Sequence, residues 1–186
     1  MPELSATPIA NFLSALSDRT PTPGGGAAAA VTAAIGASLG AMAARYTTGK
    51  RWVDREEDAR VLGDRLASLS ASLSKLAQED IDAYSALSAA KIAAKTQPSI
   101  DLRPFEAAAA MVPLEVLRQI CTAVQDLAAF RPRCNPHLVV DLNSAVFLMA
   151  GAARAAAVLV RGNGPNAKIL DEVSQRIAII GRSETL

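Results

Sequence analysis

The chain has 186 residues, 51% of them apolar but only 4% aromatic, and 19 basic residues against 18 acidic ones give a net charge of +1. That length fits a single domain over residues 1–186, the apolar share excludes wholesale disorder, and the balanced charge excludes a nucleic-acid binder led by electrostatics. Cys121 and Cys134 form no CxxC pair and His137 is the single histidine, so neither structural zinc nor a disulfide framework is expected.

At the N-terminus, Met1-Pro2-Glu3-Leu4 puts no basic segment before an apolar run, so the reading is a cytoplasmic protein without a secretory signal. A first short helix is predicted over Glu3 to Leu16, then a Pro/Gly loop over Asp18 to Gly26. A second helix runs from Ala27 to about Thr48. Gly24 to Ala44 carries no charge and is nominally long enough to cross a bilayer. It is mostly Ala, Gly, Ser and Thr, which gain little from lipid, so a buried helix and no membrane partner are expected, with a membrane helix as the alternative. Gly36 and Gly40, with Ala33, Ala37, Ala41 and Ala44, form a small-residue stripe that lets another helix approach closely, in the same chain or in a second copy.

Asp54 stands three residues before Glu57, a capping-box spacing, ahead of a long helix from about Arg55 to Ala94. Leu62, Leu66, Leu69, Leu73 and Leu76 supply its apolar stripe. Thr96 to Ser99 breaks it, and Asp101 caps the next helix, which reaches about Ala129 with a kink predicted at Pro113. Asn135-Pro136 reads as N-cap plus first-turn proline for a helix to about Arg161. Gly162-Asn163-Gly164-Pro165 ends that helix, and a last one spans Ala167 to Ile180. Sustained β-type alternation is absent, so the expected fold is an all-α bundle of long helices.

Four segments carry candidate chemistry. Pro23-Gly24-Gly25-Gly26 leaves free N–H groups at a positive helix terminus, suited to an anion or carbonyl, or forms a turn that only lets helices pack. Lys50 and Arg51 fit a helix C-terminus on dipole grounds, or offer a cationic edge to an acidic ligand. Within the long helix, Asp80, Tyr84, Leu87 and Lys91 fall on one face, with Lys95 slightly off it and Asp82 roughly opposite. A carboxylate on such a face suits general acid–base work or forms a weak solvated pair. Asp141, inside an apolar run, needs a partner: a ligand's N–H groups, or Arg154 or Arg161.

Together these segments resemble the cyclodeaminase/cyclohydrolase family. The resemblance rests on Phe12-Leu13, Pro21-Thr22-Pro23-Gly24-Gly25-Gly26, Thr47-Thr48-Gly49-Lys50, Glu79 to Tyr84, Val112-Pro113-Leu114, Asn135-Pro136, Asp141 and Asn163, in order over about residues 10 to 165. It implies an all-helical homodimer or higher oligomer with a folate site near a subunit interface. It also implies hydrolysis of 5,10-methenyltetrahydrofolate to 10-formyltetrahydrofolate, or alternatively cyclodeamination of formimidoyltetrahydrofolate. No cofactor or metal is implied beyond the folate substrate. Asp80 is then the acid–base residue, with Lys91 or Lys95 keeping it ionised. Substrate contacts fall to Pro23, Gly24, Gly25, Gly26, Thr47, Tyr84, Asp141 and Asn163, and Lys50, Arg51 or Arg161 meet the glutamate tail. Val140 and Asn143 depart from the family's residues and motivate a third reading, a non-catalytic helical subunit.

Overall fold

The computed structural model describes residues 4–163 and 165–185; Glu3 and Gly164, at the edges of two expected elements, lie outside them. Six α-helices follow in chain order: α1 Ile9–Ser17, α2 Gly25–Arg45, α3 Glu56–Ala94, α4 Arg103–Phe130, α5 Val139–Gly162 and α6 Ala167–Ser183. Short 3-10 turns precede α1 and α5 and follow α2 and α4, and no strand occurs among the described residues.

The first expected helix is in fact two pieces, a 3-10 turn at Leu4–Ala6 and α1. Pro8 is the cause, since a proline disfavours helical backbone in the residue before it and fits the position just ahead of a helix. The second helix starts earlier and stops sooner than expected. Gly24 is its extended N-cap, and the chain leaves it after Arg45 towards Gly49, whose φ of +95° strains any other residue. The capping box does not form: α3 begins at Glu56, so Asp54 lies one residue too early and its carboxylate accepts from Arg55 instead. Asp101 does accept from the Arg103 N–H (3.0 Å), and Asn135 from the His137 N–H (3.1 Å), though Asn135 opens a 3-10 turn before α5 begins.

Helix α2 is the central element, packed between α3 and α5 and touching α4. Its small residues are used inside this chain. A Cβ on Gly36 would lie 2.6 Å from Met149 Cγ and 3.1 Å from the Ala145 carbonyl of α5, and one on Gly40 would press on Leu127 and Leu66. Leu62, Leu66, Leu73 and Leu76 of α3 are buried as the stripe predicts. Three helical stretches, Gly25–Arg45, Arg103–Arg133 and Pro136–Gly162, are long and apolar enough to cross a membrane; half or more of the apolar window is buried within the bundle in the first and third. Helix α6 is tied to α4 by Arg118, whose guanidinium donates twice to Glu172 (2.7 and 2.9 Å); with Arg176 it holds that carboxyl down to about 2. Pro113 sits buried inside α4 and supplies no N–H to the Ala109 carbonyl one turn before it.

Candidate active site

Helices α2 and α5 run antiparallel, because Gly25 at the start of α2 meets Leu159 near the end of α5 while Gly36 meets Ala145 and Met149. At that end of the bundle a cleft of about 260 Å³ opens between the Pro/Gly loop, α3, α4 and the end of α5. Pro21, Thr22 and Gly24 to Gly26 form one wall; Asp80, Tyr84 and Leu87 of α3 another; Ala109, Pro113, Leu159 and Asn163 close it. Asp80 is the single charged residue among them.

The carboxylate is fixed by the loop. Asp80 Oδ2 accepts from the Ala27 N–H at 2.9 Å, in the first turn of α2. Gly26 makes room for it: a Cβ there would stand 1.9 Å from Oδ1 and 2.3 Å from Cγ. Burial raises the Asp80 carboxyl above its usual range, and this outweighs the lowering by the Ala27 hydrogen bond. The result is a half-desolvated acid of raised proton affinity beside the free N–H groups of a helix start. Such a group can take a proton from water and return it to a leaving nitrogen.

Of the residues singled out from sequence, Gly24, Gly25, Gly26, Asp80, Tyr84 and Asn163 converge on this cleft. Pro23 is buried behind the loop, and Arg161 is exposed and outside the lining. Lys91 and Lys95 lie about 16 and 22 Å further along α3 at the ordinary helical rise, and neither acts on Asp80, which feels only burial and Ala27. Lys50, Arg51, Thr47 and Asp141 lie at the opposite end of the bundle, since α2 alone measures about 30 Å over its 21 residues. There Thr47 is fully buried, donating to the Ala43 carbonyl and accepting from the Asn135 N–H at 3.0 Å, so its hydroxyl joins α2 to the start of α5 rather than facing solvent. Asp141 lies near buried Cys134, whose thiol it helps push up after the larger effect of burial. Arg51 and Arg55 stack over the Trp52 ring at 5.0 and 5.2 Å. No group of three His, Cys, Asp or Glu among the described residues is placed to hold a metal.

From sequence, Leu87 falls on the face of Asp80 without a role in the site, and Pro21, Thr22, Leu159, Ala109 and Pro113 are wall residues that the candidate set lacks. Leu159 had a signal: it lies four residues before Asn163 and so on the same helical face. Ala109 and Pro113 are related in the same way, but nothing local says which face of α4 meets the loop.

A model of the formiminotransferase-cyclodeaminase family matches residues 8–177. The chain belongs to that family. It is 32% identical to methenyltetrahydrofolate cyclohydrolase of Methylorubrum extorquens over 178 residues, covering 88% of this chain and 81% of that protein. It is 33% identical over 132 residues to formimidoyltransferase-cyclodeaminase of Mus musculus, covering 66% of this chain but 24% of that longer protein. In structure it matches formiminotetrahydrofolate cyclodeaminase from Thermotoga maritima with a TM-score of 0.88, 24% identity, and coverage of 98% of this chain and 94% of that one, a likeness of fold.

Proposed function

We propose that this family member hydrolyses 5,10-methenyltetrahydrofolate to 10-formyltetrahydrofolate. The observation that carries the reading is a lone, half-buried carboxylate in a cleft otherwise lined by neutral groups. The methenyl bridge is a cationic amidinium carbon, and a neutral wall with one carboxylate favours such a cation while leaving room for water. Methenyltetrahydrofolate cyclohydrolase as a relative across most of both chains supports the same choice. A cleft of about 260 Å³ is small against the roughly 300–1,000 Å³ of ordinary ligand pockets, so it takes the head of a folate and leaves the rest along the surface.

The steps follow from the placement. Asp80, ionised, accepts a proton as water adds to the bridge carbon. The carbinolamine so formed collapses: its hydroxyl proton leaves to solvent as the formyl C=O forms, the bond to the departing ring nitrogen breaks, and Asp80 returns its proton to that nitrogen. One water is consumed and one proton released overall. Gly25 and Gly26 stand in the first turn of α2, where backbone N–H groups have no intrahelical acceptor, and these would donate to the oxygen that gains charge. In the alternative reaction, cyclodeamination of formimidoyltetrahydrofolate, the same carboxyl protonates departing ammonia. Methenyl absorbance decay and ammonia release, followed side by side with the two folates, separate them. Faster methenyl decay without ammonia from the formimidoyl compound is the expected outcome; the reverse pattern makes the protein a cyclodeaminase, and neither makes it a non-catalytic subunit.

A homodimer is part of the proposal. Val140, Ser144, Phe147, Gly151 and Val158 recur on the outer face of α5, and Val140 and Val158 are 73% and 65% exposed. Two copies meeting there with antiparallel α5 helices bring the Lys50, Arg51 and Asp141 end of one towards the Asp80 cleft of the other. That arrangement accounts for candidate binding residues at both ends of one bundle. Further parts of the proposal are a cytoplasmic location, no membrane or nucleic-acid partner, and no cofactor beside the folate.

A further inference from the structure

Where the Asp80 cleft ends on α3, a second hollow of about 160 Å³ begins. Tyr84 and Leu87 line both, and Ser88, Lys91, Ile92 and Lys95 complete the second. The two hollows therefore lie next to each other along α3, with a carboxylate in one and two ammonium groups beside the other. Between them lies a neutral stretch dominated by Tyr84, which is 49% exposed. The ammonium groups are available. Lys91 has only Glu106, at 3.9 Å and with both side chains more than half exposed, a pairing that solvent renders weak. Lys95 makes no ion pair among the described residues.

5,10-Methenyltetrahydrofolate has the same order in reverse sign: a cationic bridge, a neutral aryl linker, then carboxylates. Resting on the folate reading above, we infer that the Lys91–Lys95 hollow is the anion subsite for the carboxylate tail, with the Tyr84 ring supporting the aryl linker. The spacing agrees in order, since Lys91 and Lys95 attach about 16 and 22 Å from Asp80 along the helix and line the hollow that begins at Tyr84 and Ser88. Lys91 and Lys95 are thus positioning residues, and their charge acts on the far end of the substrate. This differs from a tail held by Lys50 or Arg51, which only the second copy of the proposed dimer would bring to this cleft, and the two placements are separated by mutating each pair.

The test compares Lys91→Ala, Lys95→Ala and the double variant with Lys50→Ala/Arg51→Ala. Each is assayed with methenyltetrahydrofolate and with the corresponding pteroate, which lacks the glutamate. The double Lys91/Lys95 variant should raise KM for the glutamyl substrate about tenfold or more, as loss of charge-assisted contacts does, with kcat unchanged. KM for the pteroate should stay the same in wild type and variant, and added salt should raise the wild-type KM only for the glutamyl compound. An unchanged KM for the glutamyl substrate overturns the inference, as does an equal KM rise for both substrates. A kcat loss with both would return the lysines to the chemistry, and a KM rise confined to the Lys50/Arg51 variant would move the tail to the other end. A wild-type protein that turns over neither compound, and releases no ammonia from formimidoyltetrahydrofolate, would instead refute the folate reading and take the subsite with it.

Discussion

The two ends of α2 show how one helix serves two different purposes. At its start the chain is Gly24-Gly25-Gly26, side chains are absent, and the backbone itself holds the Asp80 carboxylate against a neutral cleft. At its finish the chain is Thr47-Thr48-Gly49-Lys50-Arg51, side chains hold the structure, and charge faces solvent. Both ends carry short, recognisable motifs. The first motif is open because a Cβ would collide with the Asp80 carboxylate; the second is closed, because the Thr47 hydroxyl is used up in joining α2 to α5. A conspicuous motif therefore marks a demanding backbone position at both ends, but borders the Asp80 cleft of the same chain at only one.

The largest effect should come from Asp80→Asn. Turnover is expected to fall at least about 100-fold, the lower range for removing a general acid–base group. Stability should not fall with it. The folded state holds the Asp80 proton more tightly than the unfolded chain does. This contribution is therefore present in full below the ordinary carboxylate range and is lost as pH rises through the raised folded value. At neutral pH an ionised Asp80 is a liability that Asn removes, so thermal unfolding should show a Tm equal to or above wild type. A Tm several degrees lower would mean that the carboxylate is structural.

Gly26→Ala comes next. The new methyl group occupies the place of Oδ1, so the carboxylate must rotate off the Ala27 N–H; kcat should drop about 100-fold, as misplacements near 1 Å do. Wild-type turnover in this variant would show that Asp80 has no need of its present position. Val158→Arg probes the pairing of copies: sedimentation should show monomers where wild type gives dimers, while a persistent dimer places the interface elsewhere. The smallest effect belongs to the closed end. Thr47→Val should cost about 1 kcal/mol in denaturant unfolding, the ordinary worth of a buried hydrogen bond, and leave kcat as it was. A kcat change without a stability change would mean that Thr47 reaches the ligand.

The sequence patterns anticipated most helix bounds, because periodicity and proline or glycine placement are local properties. Helix α3 begins within one residue of its expected start and ends at Ala94 as expected. The division of the first helix at Pro8 is equally local: the proline outweighs the apolar spacing around it. The site was legible in part for a different reason. Asp80 and Tyr84 share a helix face by spacing, but their meeting with Gly26 and Asn163 depends on how four helices cross, which no local pattern encodes. Helical phase also put Lys91 on the face of Asp80 and said nothing of the distance along it, so two lysines read as neighbours of the acid prove to line the next hollow.

The most direct test is the pH dependence of methenyltetrahydrofolate hydrolysis, with the spontaneous rate subtracted, for wild type and Asp80→Asn. The wild-type rate should rise with pH through a single carboxyl titration lying above the ordinary carboxylate range. The Asp80→Asn rate should be low and lack that limb. The same acid limb in both proteins, at comparable rates, would contradict the assignment of the chemistry to Asp80.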